Sequence, residues 1–140
     1  MELDPRGQRF AAAVTSALLV VVLATGWSWL ALAQTVVFAI TAFDPRKGPW
    51  AYVYRALILP RIGPPAEREP AAPVRFAQMV GFTFLAVATA GYLTGLTTLG
   101  VVFAALGLLA AFLNAAFGLC LGCEAYLLIR RLEFRGVGRL

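Results

Sequence analysis

Histidine is absent from this chain, and cysteine occurs only twice. Without histidine there is no Ser–His or Cys–His nucleophile pair. A closed zinc site needs four ligands, so two cysteines fall short without a second chain or carboxylate help, and no metal or other cofactor is expected. Charge is scarce as well, at 14% of residues. A soluble domain of this size needs far more to cover its surface, so the solvent for much of the chain is lipid. Residues 10–43 and 76–123 carry no charge at all, in runs of 34 and 48 residues. Paired carboxylates are therefore missing from the apolar runs, which argues against proton-coupled transport through acidic groups. A phosphate-cradling G-x-x-x-x-G-K loop is missing. Short segments alternating apolar and polar residues are missing too, which excludes a membrane β-barrel.

One helical crossing of a bilayer core takes about 20 residues, so each charge-free run holds two. Each run has one weak point, at Thr25-Gly26-Trp27-Ser28-Trp29 and at Gly91 to Gly100, where Gly and Ser/Thr favour turns and Trp and Tyr favour the headgroup level. The expected fold is an all-α membrane protein, a single domain over 1–140 with four transmembrane helices as two hairpins. Their expected bounds are roughly 8–25, 28–45, 74–92 and 97–119. Residues 46–73 form the connection between hairpins. Its first part, Pro49 to Pro60, mixes Trp50, Tyr52 and Tyr54 with Arg55, as a short interfacial helix would. Its second, Arg61 to Pro73, is proline-rich and reads as an extended strap. A C-terminal helix is expected over roughly 120–132.

All twelve Lys and Arg residues fall before the first hairpin, between the hairpins or after the second. The positive-inside rule makes that side cytoplasmic, with both termini inside a cell inner membrane. A net charge of +5 suits an anionic leaflet. No aromatic–basic recognition motif accompanies the charges, so nucleic acid is not an expected partner. Ala31-Leu32-Ala33 resembles a signal-peptide cleavage site, but apolar sequence continues to Phe43 and the segment reads as a retained anchor.

Arg9-Phe10-Ala11 matches Arg75-Phe76-Ala77 at an offset of 66, and Val14 falls on Val80. The second helix of each hairpin then runs apolar to an Ala-Phe pair, Ala42-Phe43 and Ala111-Phe112. A parallel internal repeat, with both hairpins entering the membrane in the same direction, accounts for these matches; chance similarity of composition is the other account.

Phe112 to Leu128, FLNAAFGLCLGCEAYLL, carries the chemistry. Cys120 and Cys123 share a face if helical, at a spacing that admits a disulfide with some adjustment. The plainer reading packs them as small apolar side chains. Haem attachment is excluded because Glu124, not His, follows Cys123. The sharper reading is thiol redox or sulfur transfer, with one thiolate attacking and the second thiol resolving the mixed disulfide. A break at Gly118–Gly122 would put the thiols at a helix start, which favours a thiolate. An unbroken helix would put them near a C-terminus, which opposes it. The sequence leaves both open. Asn114, about two turns deeper, is a tuning group or a helix–helix hydrogen bond. Glu124 is a second tuning group, and Gln34 reads as interhelical glue.

These residues resemble a known family. Asp4-Pro5-Arg6-Gly7, Arg9-Phe10-Ala11, Pro60-Arg61, Gly63-Pro64-Pro65, Pro73-Val74-Arg75-Phe76-Ala77-Gln78 and the block from Ala111 to Glu124 are similar to a family of small membrane proteins, common in actinobacteria, of unknown function. The resemblance implies four membrane helices, a retained Cys-X-X-Cys, and thioredoxin-like or rhodanese-like neighbours. The function expected first is a membrane dithiol protein exchanging electrons or sulfur with such a cytoplasmic partner. In that role Cys120 and Cys123 react, and Asn114 and Glu124 tune them. A small transporter for a sulfur compound and a non-catalytic scaffold or assembly subunit are the alternatives, and self-association is compatible with all three.

Overall fold

The computed structural model describes residues 2–3, 5–63 and 69–138. Helix dominates them because an apolar chain without water must pair its own N–H and C=O groups. α1 (Pro5–Thr25) turns into α2 (Ser28–Phe43) through Gly26 and Trp27. α5 (Ala71–Thr94) turns into α6 (Thr97–Phe117) through Gly95 and Leu96. α1, α5 and α6 are long and apolar enough to cross a membrane, whereas α2 has only 16 residues. Outward-facing Val20, Val36, Ile40, Met79, Val102 and Leu109 are exposed, a surface suited to lipid rather than water.

Helix ends depart from the sequence expectation for local reasons. α1 starts at Pro5 rather than near residue 8, because proline fits the first helical position and the expected Pro-Arg-Gly turn is itself helical. α2 stops at Phe43 rather than 45. Asp44 precedes a proline and turns extended, at φ −149° and ψ 109°. Its carboxylate accepts the Arg46 N–H at 3.0 Å and caps a 3-10 turn, Pro45–Lys47. α5 starts at Ala71 rather than 74, since Pro73 lies in its first turn.

The connection is more helical than expected. α3 (Pro49–Val53) widens into a π-turn, Tyr54–Ile58, and closes as α4 (Leu59–Ile62). Pro60 supplies no N–H to a regular ladder, and the widened turn sends the Leu59 N–H to the Tyr54 carbonyl instead. Arg61 and Ile62, expected in the strap, thus end a helix. Residues 64–68 of that strap lie outside the described residues. Beyond them, Glu69–Pro70 pairs antiparallel with Glu2–Leu3.

α1 packs along α6, α2 along α5 and α5 along α6, whereas α1 and α2 touch much less. Near the turns the bundle is tightly filled. Val22, Ala31, Ala88 and Ala104 are fully buried there, and Gly100, Ala104 and Gly107 line one face of α6. Small residues let helix backbones approach closely, the usual basis of packing where lipid replaces water. Thr35 and Thr89 meet at 3.2 Å across α2 and α5. Fully buried Leu19 and Leu85 close this half off. The other half, at the basic end, is hollow.

Two arginines tie the bundle together at that basic end. Arg9 of α1 donates to the Ala115 and Ala116 carbonyls at the end of α6, at 3.2 and 3.5 Å. Arg75 of α5 donates to the Ala42 carbonyl at the end of α2, at 3.1 Å. The last four carbonyls of a helix lack intrahelical partners, so each guanidinium supplies missing donors. α3 and the π-turn after it lean on α1, where the Tyr54 ring of that turn sits 6.0 Å from the Phe10 ring at 41°. α7 (Leu121–Gly138) leans on α5, where Tyr126 and Phe76 rings sit 5.7 Å apart at 46°.

Candidate functional site

The helix carrying the cysteines breaks. α6 ends at Phe117, and Gly118 adopts φ +69°, ψ 14°, a left-handed conformation that glycine takes without steric cost. Its N–H reaches back to the Asn114 carbonyl at 2.9 Å. Leu119 and Cys120 then lead into α7. Of the two geometries the sequence left open, the thiols take the helix start.

Cys120 holds the capping position of α7. Its carbonyl accepts the Glu124 N–H at 3.0 Å, the first turn of the new helix. Its sulfur accepts the Cys123 N–H at 3.1 Å, the bond that a capping Ser or Asp oxygen ordinarily makes. Cys120 and Cys123 are joined as a disulfide, with Cα atoms 5.2 Å apart. Cys123 also packs against buried Leu3, Ala71 and Val74. The start of α7 is held close to α5 by Gly122: a Cβ there would stand 2.6 Å from the Ala77 Cα. Glycine at this position is a packing requirement.

The disulfide forms part of the wall of a cavity of about 420 Å³ between the helices of the hollow half. Asn114, Cys120 and Cys123 all line it. Its lining also includes exposed Arg9, Gly118 and Leu121, so it reaches the protein surface beside the disulfide. Thr15, Gln34, Leu106 and Gly107 mark its inner end. Gln34 does link helices as expected, donating from Nε2 to Thr15 Oγ1 at 3.3 Å. The Asn114 side chain makes no helix–helix hydrogen bond among the described residues. Glu124 is not in the lining; it is exposed in the first turn of α7, where a carboxylate suits the helix N-terminus.

Arg9, Thr15 and Trp50 join the site without having stood out in the sequence. Arg9 read only as one of the basic residues on one side; its match to Arg75 is the signal that sets it apart. Trp50 read as a headgroup anchor, yet its Nε1 is buried without a partner. Among the described residues no group of three or more His, Cys, Asp or Glu side chains is placed to hold a metal ion.

No curated protein and no solved structure matches the chain. A match to a family does exist, and it covers the hairpins, the helix break and the cysteine pair alike. Over residues 3–131 the chain fits DUF4395, a domain of unknown function, and it belongs to that family.

Proposed function

We propose that this chain is an integral membrane dithiol protein that exchanges electrons or sulfur with a soluble thioredoxin-like or rhodanese-like partner. The observation that carries the reading is the Cys120 sulfur at the start of α7, accepting a backbone N–H within reach of a second cysteine. Helix N-termini and Cys-X-X-Cys spacing both stabilise a thiolate. In the reduced chain the Cys120 thiolate attacks a partner's disulfide, forming a mixed disulfide and releasing one partner thiolate. Cys123 then attacks the Cys120 sulfur, and the second partner thiolate leaves. One S–S bond breaks and one forms at each step, and two electrons pass to the partner. The reverse sequence reduces the chain.

In this reading α2 is a fourth span, the basic end is cytoplasmic in the inner membrane, and the chain is a duplication. Its halves are α1, α2 and α3 against α5, α6 and α7. Three paired features support that. Arg9 caps α6 as Arg75 caps α2. Phe10 meets Tyr54 as Phe76 meets Tyr126. α1 packs on α6 as α5 packs on α2. Gly48, which caps α3, then corresponds to Cys120, which caps α7. A scaffold role gives no reason for an open cavity beside the sulfurs.

The test is a redox titration of the purified chain against dithiol buffers, read by thiol alkylation. The expected result is one reversible two-electron transition, with Cys123→Ser trapping a mixed disulfide through Cys120 and Cys120→Ser trapping far less. A pair that stays oxidised at every potential, or equal trapping by both variants, would sink the assignment.

A further inference from the structure

We infer that the hollow half of the bundle is a quinone site, and that a membrane quinone is the second redox partner of the cysteine pair. This rests on the dithiol reading above. A folded protein partner reaches the disulfide only from outside, yet both cysteines also line an internal cavity of about 420 Å³. Only a small molecule fits there. Val37, Phe38, Val80, Phe84 and Leu106 give the cavity apolar walls suited to a flat ring arriving from lipid.

Charge narrows the class. Arg9 is the one charged side chain among the described lining residues, and its Nη2 donates to the Ala115 and Ala116 carbonyls at the exposed end of the cavity. An anionic sulfur compound would find no other cation there. Two polar groups await a neutral ligand. Gln34 is 2% exposed with Oε1 unpartnered, and the Trp50 Nε1 donor is buried and unpartnered. Buried polar groups without partners are costly, and a ligand that supplies partners relieves the cost. A quinone carbonyl accepts from Trp50 Nε1–H. A quinol hydroxyl donates to Gln34 Oε1. The Gln34 amide, turned over so that Oε1 takes the Thr15 hydroxyl, donates to a quinone instead. An amide that both donates and accepts suits both oxidation states.

The reaction balances. Two S–H bonds break and the Cys120–Cys123 bond forms, while two electrons and two protons pass to the two quinone oxygens, giving a quinol. A soluble dithiol then reduces the disulfide by the exchange steps already described.

The test uses the full chain in lipid nanodiscs with a short-tailed benzoquinone under anaerobic conditions. Mixing with the reduced chain is expected to give one quinol per disulfide, by ultraviolet absorbance and thiol alkylation. The Cys120→Ser/Cys123→Ser chain should still bind the quinone in equilibrium dialysis while forming no quinol. Gln34→Leu should raise the half-saturating quinone concentration about ten-fold, near the contribution of one hydrogen bond. A chain that cycles with a soluble dithiol but neither binds nor reduces the quinone would overturn this inference and leave the dithiol reading intact. Quinone binding without any cysteine cycling would overturn both. Cysteine-dependent uptake of labelled thiosulfate, with no quinone bound, would make the cavity a carrier's.

Discussion

A single backbone conformation decides where the cysteine pair sits. Gly118 at φ +69° ends α6, so α7 starts anew and the Cys120 sulfur takes the capping role. An L side chain in that conformation costs about 1 kcal/mol. Gly118→Ala should lower thermal stability by about that amount and slow alkylation of reduced Cys120, because a continuous helix removes the cap. Gly118→Asn should recover most of both, since asparagine tolerates the left-handed region. Thermal unfolding and a timed alkylation series check the pair. Unchanged alkylation in Gly118→Ala would mean that the break does not govern reactivity. Glycine at 118 and 122 was legible in the sequence as a place where a helix loosens. Which way it resolved was not, because the deciding contacts come from far along the chain. Gly122 meets Ala77 of α5, and Gly118 lies under the Arg9 side chain of α1.

Between elements, two polar ties are reciprocal. Each hairpin begins with an arginine that reaches over to finish the other hairpin's second helix. Arg9→Ala should loosen the last turn of α6, and Arg75→Ala the last turn of α2, each by less than about 1 kcal/mol for an exposed guanidinium. Hydrogen–deuterium exchange localises the effect. Faster exchange is expected at the Gly118 and Leu119 amides in the first variant and at the Asp44 amide in the second, all of which close these helix ends. Exchange that rises across the whole bundle would instead assign the arginines to global stability. The helices themselves were legible because charge-free runs have few alternatives in lipid; Pro5, Asp44-Pro45, Pro73 and Gly118 each moved an end locally, and α5 ran on two residues past its expected end to Thr94. The cavity was not legible. It arises because α1 and α2, neighbours in sequence, pack on α6 and α5 rather than on each other, and no periodicity within either helix encodes that choice.

For the molecule as a whole, the open quantity is the number of crossings, and α2 decides it. A helix of 16 residues rises about 24 Å, short of a hydrocarbon core of roughly 30 Å. Its ends carry the means to close the gap. Trp27 and Trp29 are exposed at one end, where indoles favour the headgroup layer. Asp44, Arg46 and Lys47 follow directly at the other, and a bilayer thins locally at modest cost around a short span. Four crossings put both termini and the 44–63 connection on one side. Three, with α2 dipping and returning, put the termini on opposite sides. Single cysteines in a Cys120→Ser/Cys123→Ser background separate the two arrangements with a membrane-impermeant maleimide on intact cells and on lysed cells. Gly95→Cys should react from outside, and Gly63→Cys and Glu133→Cys only after lysis. Labelling of both Gly63→Cys and Glu133→Cys on intact cells, together with protection of Gly95→Cys, would mean three crossings from a cytoplasmic N-terminus, and the disulfide would then face away from any cytoplasmic partner.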